Sequence, residues 1–289
     1  MEFNSFWYLG LAALSILLLI YVYLKTKSNR ILLLFFAMVG FGYIVETVIY
    51  NIGHSYQYYP KLIKHDSFYD SNMGAIASNA LALPVVATFI AALRKNWLWI
   101  IFFVSLFAVI EWTFLKLNIY THNWWRIGYT APGLLLVYFP LAKLFYQLLS
   151  RPLQGKLHNI VLFLCVSPIS ANLQFMPVMF FSIRYYDLGW FDMPSKDTTA
   201  FGAIYYLLAC LFYVWIAKHH WKLKWFKYVL TPLLIYAVNL LLQKTGILHI
   251  QVWWDPWYYV ILSVFVLKCT VTISKHLTTG PQKTPDPLN

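Results

Sequence analysis

RKNWLWIIFFVSLFAVIEWTFLKLNIYTHNWWR, residues 94–126, holds the pattern that decides the fold. It opens on the basic link Arg94-Lys95-Asn96. It then runs through residues 97–117 with Glu111 and Lys116 as the only charges, and closes on a polar, aromatic loop ending in Trp124-Trp125-Arg126. An apolar run of about 20 residues is what a helix needs to cross a bilayer. Basic residues at one end and tryptophans at the other are the marks of its two interfaces.

The same alternation holds along the whole chain. Eight further apolar runs lie at 6–24, 31–50, 73–93, 129–149, 160–183, 200–217, 228–242 and 257–273, the eighth span (228–242) being the shortest. Together these predict an all-α, polytopic transmembrane helix bundle of about nine spans over residues 1–277. A polar, Pro-rich tail at 278–289 is expected to be disordered on the cytoplasmic side. Alternate gaps between the runs sort by charge. One set carries Lys25, Lys27, Arg30, Arg94, Lys95, Lys143, Arg151, Lys156, Lys218, Lys222, Lys224, Lys227, Lys268, Lys275 and Lys283 against the single acid Asp286. The other set carries every remaining acid, with Lys61, Lys64, Lys116, Arg126, Arg184, Lys196 and Lys244 as its bases. The positive-inside rule then places the N-terminus outside and the C-terminus in the cytoplasm of a multi-pass cell-membrane protein.

Composition agrees. The 289 residues are 61% hydrophobic and 11% charged, against roughly 25% charged in soluble domains. The net charge of +12 sits in short links, where it sets orientation and meets anionic headgroups rather than nucleic acid. The bilayer is therefore the expected partner. The run at 6–24 lacks a preceding basic region and a small-residue cleavage site, and reads as a retained span. Cys165, Cys210 and Cys269 lie in or at the end of apolar runs without a CxxC neighbour, as small buried hydrophobes do.

The residues that could carry chemistry are few. Glu46 and Glu111 are the only carboxylates inside expected spans, each in the outer third of its helix. An acid at that depth loses hydration and can serve as a proton carrier or general acid, or can pair with a base such as Lys116 or Lys244. Two spans combine polar residues with proline. Ser78 and Asn79 precede Pro84, and Ser167, Ser170, Asn172 and Gln174 precede Pro177. Proline frees backbone carbonyls, and broken helices of this kind line substrate sites. The sixth span is the expected cavity wall; helix packing through small polar side chains is the competing role.

The outer loops are long and aromatic, so any working surface is expected on that face. Their polar candidates are Lys61, Asp66, Asp70 and His122, beside Trp124 and Trp125. The spacing of His54, His65, Asp66, Asp70 and His122 matches no zinc signature, so no metal is expected. The chain has no Walker loop, no GxSxG and no dinucleotide fingerprint, so no cofactor is expected either. A faint internal repeat sets Glu111, Lys116 and Trp124-Trp125 against Asn239, Lys244 and Trp253-Trp254.

The stretch Tyr58-Tyr59-Pro60-Lys61-Leu62-Ile63-Lys64-His65-Asp66-Ser67-Phe68-Tyr69-Asp70 resembles a motif in a family of small, uncharacterised integral membrane proteins of spore-forming Firmicutes. Those proteins carry Tyr-Pro-x-Lys-Leu and then a Ser-x-x-Asp step into the next helix. Ile110-Glu111-Trp112, with Tyr120 and Trp124 or Trp125 ahead of Thr130, is similar to the family's second signature. The resemblance covers residues 31–149, roughly half of the chain, which is longer, with extra spans at both ends. It implies a helical topology and a bacterial plasma membrane but no activity, and it singles out Pro60, Lys61, Asp66, Asp70, Glu111 and Trp124.

Three functions remain open at this point. A small-solute or proton-linked carrier would use Glu46, Glu111 and the polar Pro-containing spans. A sensor, immunity or assembly-partner protein would present the aromatic loops to another membrane protein. A membrane enzyme acting on a lipid or isoprenoid would use one of the two glutamates as general acid.

Overall fold

Hydrophobic length and helix capping together set where each span begins and ends. A computed structural model describes residues 2–279. Among these, nine helices are long and apolar enough to cross a bilayer. They are α1 Phe3–Thr26, α2 Arg30–Ile52, α3 Ser67–Ala92, α4 Trp97–Lys116, α5 Ile127–Leu149, α6 Gly155–Phe181, α7 Pro194–Lys218, α8 Phe226–Lys244 and α9 Asp255–Thr279. The chain is thus an all-α, polytopic membrane protein, and α8 is its shortest span. Helix α3 starts earlier than the apolar run suggests because Asp66 caps it: its Oδ1 accepts from the backbone N–H of Phe68 and Tyr69 at 2.8 and 2.9 Å. Helix α7 likewise begins in a polar turn with Pro194 in its first positions, where a missing N–H costs nothing. Helix α9 takes in Thr278 and Thr279; the rest of the expected tail, 280–289, lies outside the described residues.

The bundle has a central layer and a periphery. Helices α2, α3 and α6 are the most buried; α1, α4 and α8 present most of their surface outward, with exposed residues such as Leu14, Leu98 and Leu241 where lipid would lie. The closest approach is between α2 and α6. A side chain at Gly40 would run into the backbone carbonyl of Leu164, so only glycine lets the two helices touch there. The Cys165 Sγ–H donates to the carbonyl of Leu33 across the same contact. Prolines 168 and 177 do not break α6, which continues as one α-helix from Gly155 to Phe181. Instead, π-helical segments interrupt three other spans, at Thr47–Ile52 in α2, Ile76–Ala82 in α3 and Gly133–Tyr138 in α5.

At the end that the charge sorting assigns to the outside, the loops fold onto one another as two short antiparallel ribbons. Strand β1 (Tyr56–Tyr58) pairs with β2 (Tyr120–His122), setting Tyr58 opposite Tyr120. Strand β3 (Arg184–Tyr186) pairs with β4 (Leu248–Ile250), setting Tyr186 opposite Leu248. Each ribbon ties two loops of one four-helix unit together. The units are α2–α5 with β1 and β2, and α6–α9 with β3 and β4, and α1 stands outside the duplication.

The two units match in detail at a nearly constant spacing. Asp70 accepts from the backbone N–H of Lys61, Leu62 and Ile63 at 2.9, 2.6 and 2.8 Å. Asp197 does the same for Leu188, Gly189 and Trp190 at 2.7, 2.8 and 3.1 Å. The next residues, Ser71 and Thr198, accept from Tyr58 and Tyr186 at 2.9 and 3.0 Å. The N–H of Tyr59 reaches the carbonyl of Ile119, and that of Asp187 reaches Ile247. The faint repeat of glutamate, lysine and tryptophans is one edge of this duplication. Both units start at the basic end, so they are parallel repeats, a known plan for membrane proteins.

Candidate functional site

The first unit encloses a cavity of about 310 Å³. Glu46 and Glu111 both line it, with Tyr8, Ser78, Asn79 and Trp125 among the walls. Its position follows from the local backbone. All three π-helical segments contribute: Ile49 from the first, Ser78 and Asn79 from the second, and Gly133, Leu134, Val137 and Tyr138 from the third. A π-turn adds a residue to the helix, widens it and redirects the side chains, which is why such segments gather at working sites. The second unit has no π-segment among its helices.

Over the outer end lies an aromatic cluster that includes Tyr8, Tyr50, Tyr56, Tyr58, Phe68, Phe114 and Tyr120. Tyr58 and Tyr120 have ring centroids 4.8 Å apart, and Tyr50 stacks between Tyr56 and Phe68 at 5.4 and 5.7 Å. Ribbon β1–β2 therefore forms a roof rather than an open loop. Gly74 admits this roof: a Cβ there would collide with the Tyr58 side chain. Val45 and Val137 on the cavity walls are exposed. Beside them the cavity opens on the flank of the bundle, where lipid would lie.

The two acids have different partners. Glu46 is buried, and the Tyr56 hydroxyl lies within hydrogen-bonding distance of both its oxygens, at 2.8 and 2.7 Å. Burial pushes the Tyr56 phenol well above its ordinary range, and the neighbouring Glu46 carboxylate pushes it further, so Tyr56 keeps its proton and acts as the donor. Among the described residues Glu46 makes no ion pair. Glu111 pairs with His122 across 2.7 Å, both side chains being largely covered. Neither Lys116 nor Lys244 is its partner.

A second, smaller cavity of about 80 Å³ lies between the units, lined by α2, α3, α6 and α7. Glu46 and Asn79 line both cavities, so they form the partition between them. Asn172 lines only the smaller one and accepts from the Tyr43 hydroxyl at 2.8 Å. Two buried polar atoms on this side, Asn51 Oδ1 and Asn79 Nδ2, have no hydrogen-bond partner among the described residues. The sixth span is thus a wall of the small cavity and not of the large one.

The remaining candidates take structural posts. Gln174 donates to Ser170 Oγ at 2.7 Å, away from both cavities. Lys61 forms an exposed pair with Glu2 at 3.2 Å. Asp66 and Asp70 hold the loop and helix start described above. Trp124 is half exposed and donates to the carbonyl of Gly53 at 2.6 Å, whereas Trp125 donates to Thr130 Oγ1 at 2.8 Å and faces the cavity. Sequence reading missed Tyr8, whose hydroxyl donates to the carbonyl of Ile119 at 2.6 Å. One tyrosine among several aromatics in an apolar run gives no signal. Tyr56 is foreshadowed only by the tyrosine-rich loop that holds it.

In the second unit a buried ion pair stands at the corresponding place. Arg184 occupies the position of Tyr56 and is fully buried with Asp255, Nε to Oδ2 at 2.8 Å and Nη2 to Oδ1 at 2.5 Å. Its Nη1 also donates to Asn239, the counterpart of Glu111, at 3.1 Å and to Tyr186 at 3.2 Å. The guanidinium lies 3.4 Å from the centroid of the Tyr259 ring.

These features define a polytopic membrane protein built of two parallel four-helix units, one holding a cavity and the other a buried ion pair. No family model, curated protein or solved structure matches the chain.

Proposed function

We propose that the protein is a proton-linked carrier of a small solute in a bacterial cell membrane, with its solute site in the large cavity and Glu46 as the group that exchanges the proton. The observation that carries this reading is that Glu46 lines both cavities. One side of it faces an aromatic chamber sized for a solute, near the lower bound of about 300 Å³ for ligand pockets. The other side faces a small polar chamber, where Asn51 and Asn79 offer an unpaired acceptor and donor. At about 30 Å³ per molecule, that chamber has room for two or three waters, enough to relay a proton. An ionisable residue buried in a membrane bundle without a basic partner is by default functional. We further propose that the unit α2–α5 is the part shared with the Firmicutes family; the bounds of the resemblance, 31–149, nearly coincide with it.

The test is proton movement in sealed proteoliposomes holding the purified protein. An imposed pH gradient should drive uptake from a panel of small solutes, and a gradient of the accepted solute should move protons. Glu46→Gln should abolish the coupling. Coupled flux that persists undiminished in Glu46→Gln would refute the role of Glu46. A protein that only presents its outer loops to a partner would tolerate that change and instead lose function on Trp124→Ala.

A further inference from the structure

The large cavity has a chemistry that narrows its ligand. Its walls hold two carboxylates and neither lysine nor arginine. Glu111 is answered by His122, but Glu46 has only the neutral Tyr56 hydroxyl. An anion entering this space would meet two acids and no base. A small, strongly hydrated metal cation would need about six oxygen ligands, while Glu46 offers two oxygens that already share one phenol donor. What the walls do offer is ring faces: Tyr8, Tyr56, Tyr58, Tyr120, Trp125 and Tyr138 all border the cavity. Aromatic faces attract weakly hydrated organic cations, the more so where water is excluded.

Access points the same way. The cavity opens on the flank of the bundle beside the exposed Val45 and Val137, and Gly133 leaves its rim clear, with nothing within 4 Å of a Cβ placed there. A ligand entering sideways must first dissolve in lipid, so it carries an apolar body with its charge. We infer that the large cavity binds a lipophilic organic cation, an ammonium or phosphonium with an apolar body, which enters from the bilayer and takes Glu46 as its counter-ion. This rests on the reading of the cavity as the solute site. It also supplies the reason for proton linkage, since Glu46 can hold a proton or face the cation but not both.

The experiment is equilibrium binding to the full-length protein in lipid nanodiscs, with empty nanodiscs subtracted. The probes are tetraphenylphosphonium and tetraphenylborate, ions of the same shape and opposite charge. The phosphonium should bind, and the borate at least about tenfold more weakly, the factor that 1.4 kcal/mol represents. Glu46→Gln should weaken phosphonium binding by a similar factor, and Glu46→Asp by less. Gly133→Leu should also weaken it, by filling the space while leaving both acids in place. Equal binding of the two ions, or phosphonium binding unchanged in both Glu46→Gln and Gly133→Leu, would overturn the inference. The two readings fail separately. Cation binding without proton-driven flux would sink the carrier and leave the cation site standing. Proton-coupled flux of a neutral or anionic solute, with no phosphonium binding, would do the reverse.

Discussion

Tyr56 and Arg184 occupy the same register position in the two ribbons, yet they do opposite things. Tyr56 leans on the carboxylate of Glu46 at the edge of an open chamber. Arg184 drives a guanidinium into the matching region and locks it with Asp255, Asn239 and Tyr186. The surrounding frame differs accordingly. Helix α8 packs along α9, while α4 meets α5 chiefly through the outer stretch Ile127–Tyr138. The first unit also carries all three π-segments, and the second carries regular helices. The ribbon, its aspartate clamp and its loop geometry are common to both. A shared scaffold can therefore carry a locked ion pair in one copy and a cavity in the other when polar side chains, helix packing and π-segments change together.

The contrast can be broken from the rigid side first. Arg184→Met leaves Asp255 buried without its partner, a loss of about 3–5 kcal/mol. Thermal unfolding of the purified protein should show a drop in Tm on the order of 10 °C. Adding Asp255→Leu should recover more than half of it, because removing both charges also removes the uncompensated burial. Glu46→Gln in the hollow unit should shift stability by less than about 1 kcal/mol, because the amide oxygen still accepts from Tyr56. The equivalent regions would then fail in different assays, one in folding and one in transport.

The common scaffold predicts equal effects instead. Asp70→Ala and Asp197→Ala each strand three backbone N–H groups and should each cost about 2–3 kcal/mol, with the two melting curves shifted alike. A large inequality would mean that the units do not share their clamp. Comparable is Gly40→Ala at the contact between units, where a methyl driven into the backbone carbonyl of Leu164 forces the helices apart and costs at least about 1–3 kcal/mol. Smallest is Gly133→Ala, where the new methyl meets nothing; stability should stay level or rise by up to about 1 kcal/mol of helix propensity, read as an unchanged or higher Tm.

Much of the frame was legible in the sequence because lipid imposes long apolar runs and sorted charges. The nine spans follow from that, as does the interest of Glu46 and Glu111 as acids at membrane depth. That both border one cavity was not legible, since nothing in the sequence shows how far α4 stands from α2. The ribbons were hidden because three residues carry no alternation long enough to read. The π-segments were hidden because their extra residue leaves no composition mark, whereas the visible prolines of α6 left that helix whole. Arg184 and Asp255 looked like two loop charges until the fold brought them together. The duplication did leave a trace that could have been found: Tyr-x-Tyr or Arg-Tyr-Tyr followed about a dozen residues later by Asp-Ser or Asp-Thr, at Asp70-Ser71 and Asp197-Thr198.

The ribbons also set an order of events during synthesis. Tyr59 and Thr121, whose hydroxyls lie 3.2 Å apart beside the first ribbon, are separated by 62 residues of chain. When the loop bearing Tyr56 has been synthesised, its partner strand has yet to be made. That loop must wait, unpaired, through the insertion of α3 and α4, and the same delay recurs for Arg184 before β4 arrives. The ribbon of each unit can pair only once its third connection has been made. A chain cut short before residue 120 would lack strand β2, and with it half of the roof over Glu46.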